Sequence, residues 1–429
     1  MNRTPLEAWI AAKIGQSKGP LTRSALEVYQ GNALVETVTW ARQRSRFYRH
    51  TFAKLPPISG LSDLTQLPFT TAEDLCRDPL QFVCVSQDDI QRVVTLDTTG
   101  TTGSPKRLYF TKADQELTTD FFHHGMTTFT DPGDRVLILL PGQTPGSVGD
   151  LLAVALKRFG AVPVKYGPVI NPLDTIEVIR RESIDVIVGV PVHLLSLVRC
   201  DPSLRLKSVL FATDHVSDPI RAALERAWGC QTFDHYGMTE MGLGGGVECE
   251  ARRGYHLREA DLLFEVIDPL NGTPVADGVY GEIVFTTLTR RGMPLIRYRT
   301  GDWGRFIPGK CLCGAALRTL ERVGARVKGR IALNGGSSGI LTIGMLDHVL
   351  FAHPAVVNYA AALSCKDARE VLTLTVQSND PQLNRGRLAA LLFEAMPFMT
   401  KVALDISFTE SMPLTMAKRV LLDRREGCP

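Results

Sequence analysis

Over the first stretch of about 55 residues, apolar side chains recur at helical spacing: Leu21, Ala25 and Val28, then Leu34, Val35, Val38 and Ala41. That pattern predicts a small helical lead-in. From Val93 onward the texture changes. Short apolar runs at 136–140, 186–190 and 208–212 predict buried strands, and 148–159 and 219–228 between them read as helices. Strands alternating with helices imply βαβ units and a largely parallel sheet. From 262 to 306 the pattern turns antiparallel, with runs at 264–268 and 281–286 around a polar turn at Asn271 and Gly272. After a glycine-rich stretch at 335–339 come a helix (343–351), a strand (371–376) and a helix (384–394). This last block reads as a second, α+β domain, with its boundary near Lys328.

The chain has 429 residues, too many for one ordinary core, which agrees with two domains. A composition 44% hydrophobic and 22% charged excludes a disordered or fibrous chain. Lys and Arg number 48 against 45 Asp and Glu, so no general attraction to nucleic acid or an anionic membrane is expected. The N-terminal residues lack an apolar signal-peptide core, and the longest apolar stretch, 186–198, is broken by Pro191 and His193 and too short to span a bilayer. Nine cysteines, an odd count, favour reduced thiols. A soluble, cytoplasmic protein is the expectation.

The strongest chemical signal is Thr98-Thr99-Gly100-Thr101-Thr102-Gly103, followed by Ser104, Pro105 and Lys106. Two glycines among four threonines supply N–H and hydroxyl donors that can wrap phosphate oxygens, and the lysine neutralises them. The spacing is not that of a Walker loop. Downstream, Tyr236, Gly237, Thr239 and Glu240 place an aromatic, a turn, a hydroxyl and a carboxylate together after an expected strand. The ring could stack on a base and the carboxylate hold Mg²⁺ against phosphate. Asp302 lies in a tight turn where it could accept both hydroxyls of a ribose, and 321–328 ends the large domain with fixed positive charge. Singly, each is more often a capped turn or a solvated face; their order carries the weight.

That ordered set resembles the acyl-adenylate-forming superfamily, and more narrowly its phenylacetate–CoA ligase-like branch. The supporting stretches are Phe47-Tyr48, 67–75, 98–106, 236–240, 281–289 and 293–302. The resemblance covers roughly residues 45–330 well and the remainder loosely. It implies an α/β fold. A large multi-subdomain N-terminal adenylate-forming domain (1–327), of mostly parallel sheets with helices plus an antiparallel segment, would precede a small mobile α+β lid (328–429). It also implies an ATP-dependent carboxylate–CoA ligase acting through an acyl-adenylate and releasing pyrophosphate and AMP. By position, 98–103 and Lys106 would cradle the β- and γ-phosphates, Thr239 would touch the α-phosphate and Glu240 would hold Mg²⁺. Tyr236 would stack on adenine, Asp302 would bind the ribose, Arg326 would contact the nucleotide, and Lys328 would be the hinge.

The resemblance departs from pattern near the end. The family's adenylation lysine falls on Lys418, but the glycine usual before it is Ala417, and an ungapped match would put Met416 there. Ala332 stands where a lysine is common. Cys249, His256, Cys311 and Cys313 make a suitable tetrahedral donor set for structural Zn²⁺. Their spacing is not that of a standard finger, and reduced thiols in a packed turn are the other reading. The resemblance adds weight to zinc, since members of this branch often carry a Cys/His cluster at this place. The acid pocket is expected around 141–149, 189–193 and 211–215. Few aromatics lie there, and Asp214 and His215 add polarity, so a small polar acid fits as well as an aromatic one. Two other readings stay open: an adenylating enzyme that serves a non-CoA acceptor, and a nucleotide-binding protein that has lost catalysis. A homodimer is the default from relatives that dimerise.

Overall fold

Thr4, Thr22 and Ser45 each turn a side-chain oxygen onto the first turn of a following helix, and the three caps start Pro5–Lys13, Arg23–Arg44 and Arg46–Thr51. The long helix buries Leu26, Gln30, Leu34, Val38 and Ala41, the i, i+4 stripe of an amphipathic surface helix. Val28, expected inside, is 66% exposed, because the stripe runs through Leu26 instead. The computed structural model describes residues 2–16, 19–96, 105–333, 339–367 and 369–425.

By compactness the chain forms two units: Met1–Gly133, Pro141–Lys165 and Phe233–Val323; and Asp134–Leu140, Tyr166–Thr232 and Gly324–Pro429. The division near the C-terminus falls at Val323 and Gly324. It groups two segments of the expected N-terminal domain with the C-terminal block.

In the first unit, Ile90–Leu96 and Lys106–Thr111 form a two-stranded antiparallel ribbon whose last pair is Leu96 with Lys106. The ribbon runs into the helix Lys112–Met126 through a capping box between Thr111 and Asp114. Antiparallel strands Leu262–Ile267, Gly281–Thr287 and Tyr298–Gly304 pack their apolar faces with the long N-terminal helix. Tyr48, Phe52, Phe82, Phe264, Phe285 and Tyr298 fill this core. A second antiparallel set pairs the end of Gln231–Tyr236 with Gly246–Glu248, then Tyr255–Leu257, Thr319–Leu320 and Phe306–Ile307.

The second unit contains the parallel strands Arg135–Ile138, Val186–Gly189 and Ser208–Phe211, all buried from their second residue, with helices Pro172–Arg181, Pro191–Cys200 and Asp218–Trp228. Runs apolar at every position are what a strand covered on both faces requires. The C-terminal block holds more strand than expected. Besides helices Ile343–Leu350 and Arg385–Ala395 it has a sheet ordered Ala403–Thr409, Arg369–Ser378, Val356–Lys366, Leu421–Asp423. Its two central strands are antiparallel and its outer pairs parallel. Among the described residues, no helix is long and apolar enough to cross a membrane.

Candidate active site and metal centre

The strand Tyr298–Gly304 buries alternate residues, so Tyr298, Thr300 and Asp302 share one face. That face meets the turn following Gln231–Tyr236. Tyr236 donates its hydroxyl to Asp302 Oδ2 at 3.0 Å, and Tyr298 donates to Glu240 Oε1 at 3.2 Å. Thr300 donates to Ile283 O at 2.7 Å and accepts from the Asp302 N–H at 3.0 Å, which fixes the turn that holds the carboxylate. Gly301 in that turn has φ +72°, a conformation glycine adopts without strain.

The 236–245 loop closes on itself, with Leu243 N–H bonded to Met238 O and Gly245 N–H to Tyr236 O, both at 2.9 Å. A Cβ at Gly237 would stand 2.1 Å from Leu243 O, so only glycine fits there. The closure turns Glu240 inward, where it is 2% exposed and forms an ion pair with Lys106 from the ribbon. Tyr236, Glu240, Tyr298, Asp302 and Lys106, read from separate motifs, thus meet in one place. Thr239 opens the short turn Thr239–Met241 and is partly exposed. Tyr236 is buried, its ring stacked on Tyr255 with centroids 5.7 Å apart.

Phe47-Tyr48 and the 67–75 stretch have a structural part. Tyr48 OH accepts from Ile296 N–H at 2.9 Å, Thr70 Oγ1 donates to Ile296 O at 2.7 Å, and Thr70 exchanges backbone bonds with Arg297 and Arg299. They hold the start of the Tyr298–Gly304 strand in place. Sequence reasoning missed Arg290. It is buried, donates to Glu240 O at 2.8 Å and Tyr109 O at 3.3 Å, and lies 4.3 Å from the Phe110 ring centre. Burial pushes its pKa down to about 10. It ties the ribbon to the Glu240 turn. The signal available was a pair of arginines at 290–291 shortly after the buried strand Gly281–Thr287.

Residues 98–103 lie outside the described residues. Arg326, at the end of Ala325–Arg326, and Lys328, within Val327–Gly329, are exposed in the second unit, as is Lys418. In that unit Asp214 and His215 contact C-terminal residues. Asp214 Oδ2 accepts from the Arg419 N–H at 3.0 Å, and His215 Nε2 lies 3.2 Å from Asp347 Oδ2. Burial opposes charge on both. The hydrogen bond between them and the surrounding charges outweigh it, so the His215 pKa is raised and that of Asp214 lowered.

The four expected metal ligands come together in the first unit. Cys249 follows Gly246–Glu248, His256 is the middle residue of the next strand, and Cys311 and Cys313 lie on the turn joining Phe306–Ile307 to Thr319–Leu320. Register places His256 opposite Val247 on one side and Thr319 on the other, so it sits between the strands that lead into the two cysteine-bearing turns. All four donor atoms lie within 4.8 Å of one another. Cys249 and Cys311 sulfurs are 3.6 Å apart, and Cys313 Sγ is 3.3 Å from His256 Nε2. Three sulfurs and an imidazole nitrogen, with Nε2 turned inward, suit a closed tetrahedral ion.

A family model described as AMP-binding enzyme matches residues 61–288. Phenylacetate-coenzyme A ligase from Pseudomonas putida is 29% identical over 323 residues, 71% of each chain. The protein of the same name from Thermus thermophilus is 29% identical over 383 residues, 84% of this chain and 83% of the relative. Among solved structures, a 2-hydroxyisobutyryl-CoA ligase in the postadenylation state superposes with a TM-score of 0.79 at 20% identity, covering 94% of this chain and 89% of that one.

Proposed function

The chain belongs to the AMP-binding enzyme family, and from that premise we propose how its residues perform the reaction of an ATP-dependent carboxylate–CoA ligase. A carboxylate is a poor electrophile but, at pH 7, already a nucleophile. One of its oxygens attacks the α-phosphorus of ATP and pyrophosphate leaves. The CoA sulfur then attacks the acyl carbon of the mixed anhydride, AMP leaves, and the thiol proton passes to solvent. Most of the work is positioning and charge neutralisation.

The observation that carries the reading is the convergence of two buried carboxylates, Glu240 and Asp302, on one loop–strand junction, the first paired with Lys106 at the foot of the hydroxyl-rich loop. Residues 98–103 and Lys106 would hold the β- and γ-phosphates, and Thr239 the α-phosphate. Asp302 would bind the ribose, oriented by Tyr236, whose ring would border the adenine; Gly237 lets the loop close beneath it. Glu240 would hold Mg²⁺, which supplies positive charge against the phosphates; a carboxylate that meets an ammonium here can meet a cation arriving with ATP. Arg326 would contact the nucleotide. Residues 328–429 would act as a lid on 1–327, hinged at Lys328, with Lys418 reaching the carboxylate and α-phosphate during adenylation. Cys249, His256, Cys311 and Cys313 would hold a structural Zn²⁺.

For the acid, we favour a largely apolar, aryl-type carboxylate. The polarity of Asp214 and His215, which argued for a small polar acid, is engaged with Arg419 and Asp347. The experiment is pyrophosphate release with ATP, Mg²⁺ and a panel including phenylacetate, benzoate, 2-hydroxyisobutyrate and lactate, each with and without CoA. Acid-dependent release with CoA-dependent AMP formation is expected, strongest for aryl acids. Turnover confined to the hydroxy acids overturns the substrate class, and release indifferent to CoA points to another acceptor. ATP binding with no release across the panel would mean catalysis has been lost.

A further inference from the structure

In the second unit, the backbone on both sides of Lys418 is bonded to the parallel-sheet segment. His193, fully buried in the first turn of Pro191–Cys200, places Nε2 3.0 Å from Thr415 O. A carbonyl only accepts, so Nε2 carries the proton and donates. Beyond Lys418, the Arg419 N–H donates to Asp214 Oδ2 at 3.0 Å. The Arg419 side chain continues the attachment. It lies over the rings of Phe351 and Tyr359, 4.5 and 4.3 Å from their centres, and pairs with Asp347 Oδ1 at 2.9 Å. Asp347, 2% exposed, also accepts from Tyr359 OH at 2.6 Å and meets His215. Lys418 stands between the two anchors with its own side chain exposed.

We infer that His193 and Asp214 are positioning residues for the first half-reaction, gripping the chain at Thr415 and Arg419 so that Lys418 is delivered to the acid and α-phosphate. The inference rests on the reading of Lys418 as the adenylation lysine. An irregular stretch this short, fixed at both ends, has little freedom left, which is what a long flexible lysine needs if it is to act at one place. On the proposed hinge at Lys328, a lid that turned for the CoA step would break the same bonds, so the grip would belong to adenylation alone.

The test separates the half-reactions in the full-length enzyme, using the panel acid that turns over. Adenylation is read by acid-dependent exchange of pyrophosphate into ATP, and thioester formation by CoA-dependent consumption of the chemically prepared acyl-adenylate. Asp214→Asn and His193→Ala should lower exchange about 10- to 100-fold, the scale of a small misplacement, and leave thioester formation within about twofold. His193→Gln, which can still donate to Thr415, should recover part of the loss. Hydrogen exchange at the Arg419 amide should quicken in Asp214→Asn, a readout that needs no substrate. If Lys418→Ala keeps full exchange, the lysine assignment fails. If Lys418→Ala abolishes exchange while the Asp214 and His193 variants keep it, or if those variants lower both half-reactions equally, the grip is refuted.

Discussion

Removing one ligand from the Cys/His cluster is a perturbation whose result follows from geometry. Four donors around a tetrahedral ion are separated by about 1.6 times the bond length. Bonds of about 2.3 Å to sulfur and 2.0 Å to nitrogen then call for S···S near 3.8 Å and S···N near 3.5 Å, both approximate. The structure has 3.6 Å between the sulfurs of Cys249 and Cys311 and 3.3 Å from Cys313 to His256 Nε2. A disulfide would bring two sulfurs to about 2.05 Å, so this is not one. Structural zinc binds finger peptides with roughly 10–16 kcal/mol. Here the strand register already aligns His256, so the part lost on releasing the ion is smaller, on the order of several kcal/mol. Elemental analysis of protein purified without chelator should find one zinc per chain. Cys313→Ser should lose it and melt at least about 5 °C lower, a drop expected from a loss of that size. Parent protein that carries no zinc as purified without chelator, and melts at the same temperature as the Cys313→Ser variant, would refute the site.

Glu240→Gln leaves Lys106 beside a neutral amide and removes the charge proposed to hold Mg²⁺; acid-dependent pyrophosphate release should fall by about 100-fold or more, while an unchanged rate would discard the assignment. Asp302→Asn keeps the shape but weakens a charged acceptor, so the KM for ATP should rise about tenfold with a smaller change in kcat; steady-state kinetics at varied ATP decide. Burial, reinforced by the charge of Arg258, pushes the His235 pKa down to about 4. The folded ring therefore stays neutral where the unfolded one, near 6.5, takes a proton. Its contribution to stability is complete above pH 6.5 and is lost as pH falls towards 4, up to about 3 kcal/mol in all. Urea midpoints for the parent should fall more steeply over that interval than for His235→Asn, and parallel curves would refute the account.

The sequence made the periodic parts of the fold legible because each is a local pattern. The apolar run at 208–212 became Ser208–Phe211, and the helix expected at 219–228 became Asp218–Trp228. Val356–Lys366 escaped notice although it is the longest strand described, since three consecutive alanines dilute its β-forming character. At the site, the motifs marked Glu240, Asp302 and the four Cys/His residues of the candidate metal centre, but not their pairings. Lys106 meets Glu240 across 134 positions, and Asp214 meets Arg419 across 205. No local spacing encodes such contacts. Asp214 and His215 show the consequence: in the sequence their polarity reads as substrate recognition, while in the fold it is engaged with the C-terminal block.

The ribbon Ile90–Leu96 and Lys106–Thr111 has an implication for how this enzyme could diversify. Because Leu96 pairs with Lys106, the residues between them emerge from and return to a closed base. Lengthening such a segment costs little, only about 0.6 kcal/mol for each doubling. Insertions or exchanges between these two residues can then be accommodated without shifting Lys106. The pairing of Leu96 with Lys106 fixes where such a segment must leave and rejoin the chain, whatever its length.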